Sequence, residues 1–210
     1  MRHSIFEQTF SQKMSPRTKK QFEEIRKTSK QNILSVALEL FARNGYQGTS
    51  IFQISKTAKI SKGLMYNYFK NKEKLLEEVV LEGFSKISEL NYVLNKGEKP
   101  RSKLKNIIDS TIDHLFEHLN YWKLYTALLA QPQVQKKFER KFYALRESFI
   151  ASMAEIFVEL GSDNPTLDAF LLGMHLDGLA LNFVAAPEDF PMDEIKQALF
   201  ERYSKLKKKR

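Results

Sequence analysis

The chain has 210 residues, with 34 Lys and Arg against 25 Asp and Glu and a formal net charge of +9; this length allows one large or two small domains with a proper core. It contains no cysteine, which excludes disulfide scaffolds, thiolate zinc sites and cysteine nucleophiles and agrees with a reducing compartment. No apolar run reaches the roughly 18 uncharged residues that span a bilayer, and the N-terminus has no hydrophobic core of the signal-peptide kind, so a cytoplasmic protein without a membrane partner is expected.

Residues 1–17 lack periodicity, contain Ser15-Pro16 and are expected to form a mobile extension. Thr18 with Gln21 makes a capping box, after which a helix runs to about Asn44. Its apolar stripe is Ile33, Leu34, Ala37, Leu38, Leu40 and Phe41, and Gly45 is its stop signal.

From Thr49 to Leu76 the pattern is two short helices, a tight turn and the start of a third. Ser50 suits the N-cap of the first, with Ile51, Ile54 and Ala58 on its apolar face. Lys59, Ile60 and Ser61 form a connection of helix-turn-helix length, and Ser61 suits the next N-cap. The second helix offers Leu64, Met65 and Phe69 to the core and carries Lys62, Gly63, Tyr66, Asn67 and Tyr68 elsewhere. A cation, a small residue, two phenols and an amide in the N-terminal half of such a helix are the groups that meet phosphates and base edges. Tyr66 and Tyr68 lie two apart, so at most one of them can sit fully in the core.

The run Ser61-Lys62-Gly63 to Tyr66, then Tyr68-Phe69-Lys70, Lys72-Glu73 and Leu75-Leu76, resembles the DNA-binding domain of the TetR family of bacterial transcriptional regulators. Leu38-Glu39-Leu40-Phe41-Ala42-Arg43-Asn44-Gly45-Tyr46 with Thr49, Ser50 and Ile54 extends the resemblance over about residues 30–80. It implies DNA contacts from Ser50, Ser61, Lys62, Gly63, Tyr66, Asn67, Tyr68 and Lys72, the last as a phosphate contact. One residue departs from the pattern: the family usually has Gly at the corner occupied here by Lys59, at a cost of roughly 1 kcal/mol if the backbone is left-handed there.

The charge divides with the motif. Residues 1–75 hold 15 Lys and Arg against 5 Asp and Glu, a net +10, whereas residues 76–210 hold 19 against 20. One part thus suits phosphates, with Arg17, Lys19 and Lys20 as a candidate backbone-contacting arm, and the other suits protein or ligand.

Asn71 suits the cap of a fourth helix reaching about Asn95, and Lys96 to Pro100 forms a loop. Helices are then expected at Ser102–Leu119, Tyr121–Ala130, Pro132–Leu160, Thr166–Ala185 and Met192–Lys207. His114 and His118 have metal-sharing i, i+4 spacing but not the neighbours of a zinc-protease signature. With no phosphate loop or nucleophile elbow either, no enzyme, metal or cofactor is expected. The aromatics Tyr92, Trp122, Tyr125, Phe149 and Phe157, with Phe116 and Phe183, read either as ordinary core or as the wall of an apolar effector pocket. His175 and Asp177 are candidate polar groups there or partners across a subunit interface.

The expected fold is all-α: a three-helix helix-turn-helix domain over 18–70 joined to an effector-binding, dimerising bundle over 71–210. The homodimer is expected through the last two helices, with Ile195, Leu199 and Tyr203 as a stripe and Gly173 and Gly178 as points of close approach. The function this implies is a regulator, acting as a repressor released from double-stranded operator DNA by a small hydrophobic or amphipathic effector. The competing reading is a helical ligand carrier or interaction module whose basic head binds acidic partners or membrane surface.

Overall fold

The computed structural model describes residues 18–93, 99–188 and 190–205, and for 87–93 the backbone alone. The N-terminal extension 1–17, loop residues 94–98, tail residues 206–210 and the side chain of Tyr92 lie outside the described residues. Among the described residues the fold is all-α: α1 (Lys19–Asn44), α2 (Ile51–Thr57), α3 (Lys62–Tyr68), α4 (Lys72–Val93), α5 (Pro100–Glu117), α6 (Leu119–Leu129), α7 (Pro132–Glu159), α8 (Pro165–Ala185) and α9 (Met192–Ser204).

Local chemistry sets the helix ends. Gln21 N donates to Thr18 Oγ1 at 3.2 Å and Thr18 N donates to Gln21 Oε1 at 2.9 Å, closing the box that starts α1. Pro100, Pro132 and Pro165 each open a helix, where the missing N–H has no intrahelical partner to lose. This moves the start of α5 two residues ahead of Ser102. His118, at φ −120 and ψ 32, ends α5 and starts α6, so the expected break near Asn120 falls earlier.

α1 packs on α2, α4 and α6 and is the element shared by head and body. One continuous cluster joins Phe41, Ile54, Met65 and Phe69 in the head to Val80, Tyr125, Phe157, Leu172 and Phe183 in the body. The α4 to α6 contact within it requires a glycine. A Cβ on Gly83 would lie 2.1 Å from Tyr125 Cζ, and the Tyr125 hydroxyl donates to Val80 O at 2.9 Å.

In the body, α8 packs on α7 and α9 packs on α5. That corrects one expectation. Leu199 and Tyr203 are buried and Ile195 packs against the core within a single chain, so this stripe is already covered. α8 differs: Leu167, Met174 and Leu181 are 50%, 66% and 64% exposed. By length and composition α8 is also apolar enough to cross a membrane, and 28% of its most apolar window is buried.

Candidate nucleic-acid interface

The head is assembled by caps and by clamps from outside. The buried Thr49 hydroxyl lies 3.0 Å from Leu40 O and 2.9 Å from Gly45 O, tying the turn to the end of α1. Ser50 caps α2 reciprocally: Gln53 N donates to its Oγ at 3.2 Å, and Ser50 N donates to Gln53 Oε1 at 2.7 Å. Its hydroxyl also donates to Gln53 Oε1 at 2.9 Å, so the primary work of Ser50 is capping.

α2 ends in a paired closure, with Lys59 N donating to Lys56 O at 3.2 Å and Ile60 N to Ser55 O at 3.0 Å. This geometry places the residue after the cap in the left-handed region. Lys59 takes it, at φ 57, where the family pattern has glycine. Asn32 on α1 donates to Ala58 O at 3.1 Å and holds the same corner.

Ser61 Oγ accepts from Leu64 N at 3.1 Å and starts α3. Met65 and Phe69, one turn apart, fill the core behind the helix. Lys62, Gly63, Tyr66 and Asn67 are exposed together on it. A Cβ on Gly63 would approach only Ser61 Oγ, at 4.0 Å, so nothing inside the chain demands its smallness.

Three placements depart from the sequence reading. Leu64, expected in the core, is 38% exposed, because Met65 and Phe69 take the inward direction and Leu64 projects about 100° away from Met65. Tyr68, expected on the reading face, is half-buried against the core, with the Arg26 guanidinium 5.9 Å from its ring centre. Lys72, expected at a phosphate, donates to Tyr46 O at 2.9 Å and Thr49 O at 3.0 Å, and its ammonium lies 4.4 Å from the Tyr46 ring centre. Two of its three N–H donors thus clamp the α1–α2 turn. Phe52, which no motif marked, is 62% exposed in the first turn of α2.

The two-helix geometry and its polar outer face have counterparts among known proteins. Residues 33–79 match the family model described as bacterial regulatory proteins, tetR family. Residues 33–79 are thus similar to a TetR-family DNA-binding head. It is 34% identical over 90 residues to YuxN of Bacillus subtilis strain 168, an uncharacterized HTH-type transcriptional regulator, a match covering 42% of this chain and 31% of that protein. It is 36% identical over 97 residues to the HTH-type transcriptional regulator AcrR of Shigella flexneri, covering 45% of this chain and 43% of that one. The chain thus spans less than half the length of these curated relatives. Beyond this head the likeness is one of fold. FadR from Bacillus subtilis in complex with stearoyl-CoA is 20% identical with a TM-score of 0.67, covering 83% of this chain and 97% of that one.

The head is bound to the body by two sets of polar links. At the α6–α7 corner, Gln131 Oε1 accepts from Tyr46 N at 2.9 Å while its Nε2 donates to Phe41 O at 2.8 Å. From α7, Lys137 pairs with Glu73 and Lys141 with Glu77 at 3.0 Å, both carboxylates being on α4. Hydrogen bonds from Lys74 and then Lys141 hold the Glu77 carboxyl down at about 2, and the bond from Lys137 lowers that of Glu73.

The body residues assigned to an effector fall into separate groups. Trp122 and Tyr125 are buried, their rings 5.6 Å apart, beside the half-buried Tyr121. Phe149 packs on Gly173, while Phe157 and His175 surround Tyr203. His175 Nδ1 is 2.7 Å from both Leu171 O and Tyr203 Oη, which gives it partners within the chain. Phe183 is buried and stacks on Phe116, which is exposed. Asp177 is exposed on α8, and desolvation by the protein around it raises its carboxyl. His114 and His118 meet edge to face at 4.5 Å, and no group of three potential metal ligands occurs among the described residues. A depression of about 460 Å³ opens between α1, α4 and α6, walled by Asn32, Leu38, Val79, Glu82, Lys86 and Tyr121.

Proposed function

We propose that this protein is a TetR-family transcriptional regulator whose α3 enters the major groove of operator DNA, and that it acts as a cytoplasmic repressor. The observation that carries the reading is the outer face of α3. Lys62, Gly63, Tyr66 and Asn67 stand exposed on a helix fixed from behind by Met65 and Phe69, in the part of the chain that carries the whole excess of positive charge. Gel-shift titration of duplex DNA at rising salt tests it. A sequence preference that survives competitor DNA, with affinity falling as salt rises, is expected. Equal binding to all duplexes and to acidic vesicles would instead favour the carrier or interaction module.

A homodimer is part of this reading, and α8 supports it. Leu167, Met174 and Leu181 recur at seven-residue intervals as an exposed stripe, the spacing that seats one helix along another. A Cβ on Gly178, within the same stretch, would meet nothing within 4 Å, leaving room for a partner helix. Two copies about a two-fold axis would hold two α3 helices at a fixed spacing, as paired half-sites require.

Release by a small amphipathic effector completes the reading. A ligand shifts an arrangement only through unequal contacts with its two states. α4 is suited to carry such a shift, since it follows α3 directly and is held to the body through Tyr125, Lys137 and Lys141. Trp122, Tyr125 and Phe149 are retained as candidate contacts. The stearoyl-CoA complex of the B. subtilis FadR makes acyl compounds the first class to screen, by thermal shift.

A further inference from the structure

We propose that Leu64 reads the C5-methyl group of a thymine, and that the half-site bound by this protein therefore contains an A·T pair facing the first turn of α3. The inference rests on the DNA-binding reading above and specifies what α3 recognises.

A single exposed leucine on a protein surface is ordinary. The position of Leu64 is what makes it informative. It lies in the first turn of α3, where Ser61 holds its N–H, and the residues beside it on the outer face are Gly63, Tyr66 and Asn67. The core needs nothing from it, because Met65 and Phe69 already close the contact behind the helix. Gly63 leaves space for close approach of DNA next to it. An apolar side chain presented to the major groove has one complementary apolar group there, the thymine methyl.

The neighbouring polar reader points to the same base pair. Asn67 is three residues on, so it shares a face with Leu64 and sits about 4.5 Å further along the axis, the scale of one 3.4 Å base step. An exposed asparagine amide pairs with adenine N6 and N7. Adenine and thymine-methyl recognition on adjacent rungs of one helix call for A·T steps. A guanine elsewhere in the half-site would have Lys62 as its one reader from α3, since no arginine occurs between residues 44 and 100.

The test starts from the full-length protein and a randomised duplex pool, from which bound sequences are enriched. Each thymine of the resulting operator is then replaced by deoxyuridine, which removes the methyl group and nothing else. One position in each half-site is expected to weaken wild-type binding about three- to fivefold, the scale of one methyl-sized group losing its burial. Leu64→Ala should bind the thymine operator with that same loss and be indifferent to the deoxyuridine at that position, while Asn67→Ala stays sensitive to it. A wild-type scan in which every deoxyuridine is neutral overturns the inference without recourse to any variant. So does a folded Leu64→Ala that is as sensitive as wild type. A pool that yields no enriched sequence at all removes the DNA-binding reading itself, and the inference with it.

Discussion

Lys59 occupies a left-handed backbone at φ 57, which the surrounding closure of α2 imposes on it. Glycine holds that conformation without the steric penalty, so Lys59→Gly should raise stability by about 0.5–1 kcal/mol in urea unfolding, after the entropy of the more flexible unfolded chain is offset. Lys72 and Asn67 separate two roles that both present as polar side chains near DNA. Lys72→Ala removes two charge-assisted bonds to Tyr46 O and Thr49 O and should destabilise the fold by about 1–2 kcal/mol. Asn67→Ala should leave unfolding unchanged and alter the order of preference among operator sequences in gel shifts. The difference between these residues also marks what the sequence made legible. The caps at Thr18, Ser50 and Ser61 and the corner at Lys59 are local, so their chemistry is written within three residues of each position. Lys72 binds carbonyls 23 and 26 residues away, and nothing in the residues around it announces that.

At the scale of elements, helix existence was readable from apolar periodicity and from the breakers at Gly45, Pro132 and Gly161, and the ends moved by one or two residues where a proline or His118 decided them. The face of each helix was harder. Leu64 and Met65 on α3 and Phe69 at its C-cap lie within six positions, and only Met65 and Phe69 point into the core. On α9 the periodicity announced a buried stripe but not whose surface would bury it, and α5 of the same chain does. Links between elements were the least visible, because a glutamine side chain leaves no pattern. Gln131→Ala should cost about 1–3 kcal/mol by leaving Phe41 O and Tyr46 N without their partner, and it should speed hydrogen exchange at the Tyr46 amide. The ion pairs between α4 and α7 predict a pH response. Since the Glu77 carboxyl titrates at about 2 in the fold against 4.5 ordinarily, its contribution is fully present above pH 4.5 and lost as pH falls towards 2. Melting temperatures of Glu77→Gln should therefore fall less steeply than wild type across that window.

For the molecule as a whole, the proposed dimer couples the exposed stripe of α8 to the outer face of α3. Met174→Asp should yield a monomer in sedimentation at micromolar concentration with the fold intact by circular dichroism, and should weaken operator binding by removing the second half-site contact. Effector and operator should oppose each other reciprocally: a coupling of roughly 1–3 kcal/mol corresponds to an affinity change of about 5- to 150-fold, equal in both directions. Titrating a screened ligand into free and operator-bound protein measures it, and equal affinities would remove that ligand as an inducer. The Gln131 clamp reaches back 85 and 90 residues to Tyr46 and Phe41, and this bears on the order in which the protein can be made. A ribosome delivers the head first, at about 5–20 residues per second. Yet the end of α1 and the turn into α2 keep open hydrogen-bonding groups until residue 131 has been added and has left the exit tunnel. The helix-turn-helix part of the nascent chain is thus unfinished while it is alone, and it acquires its final geometry from a residue of the body, so a message truncated within α6 would release a head without its last fastening.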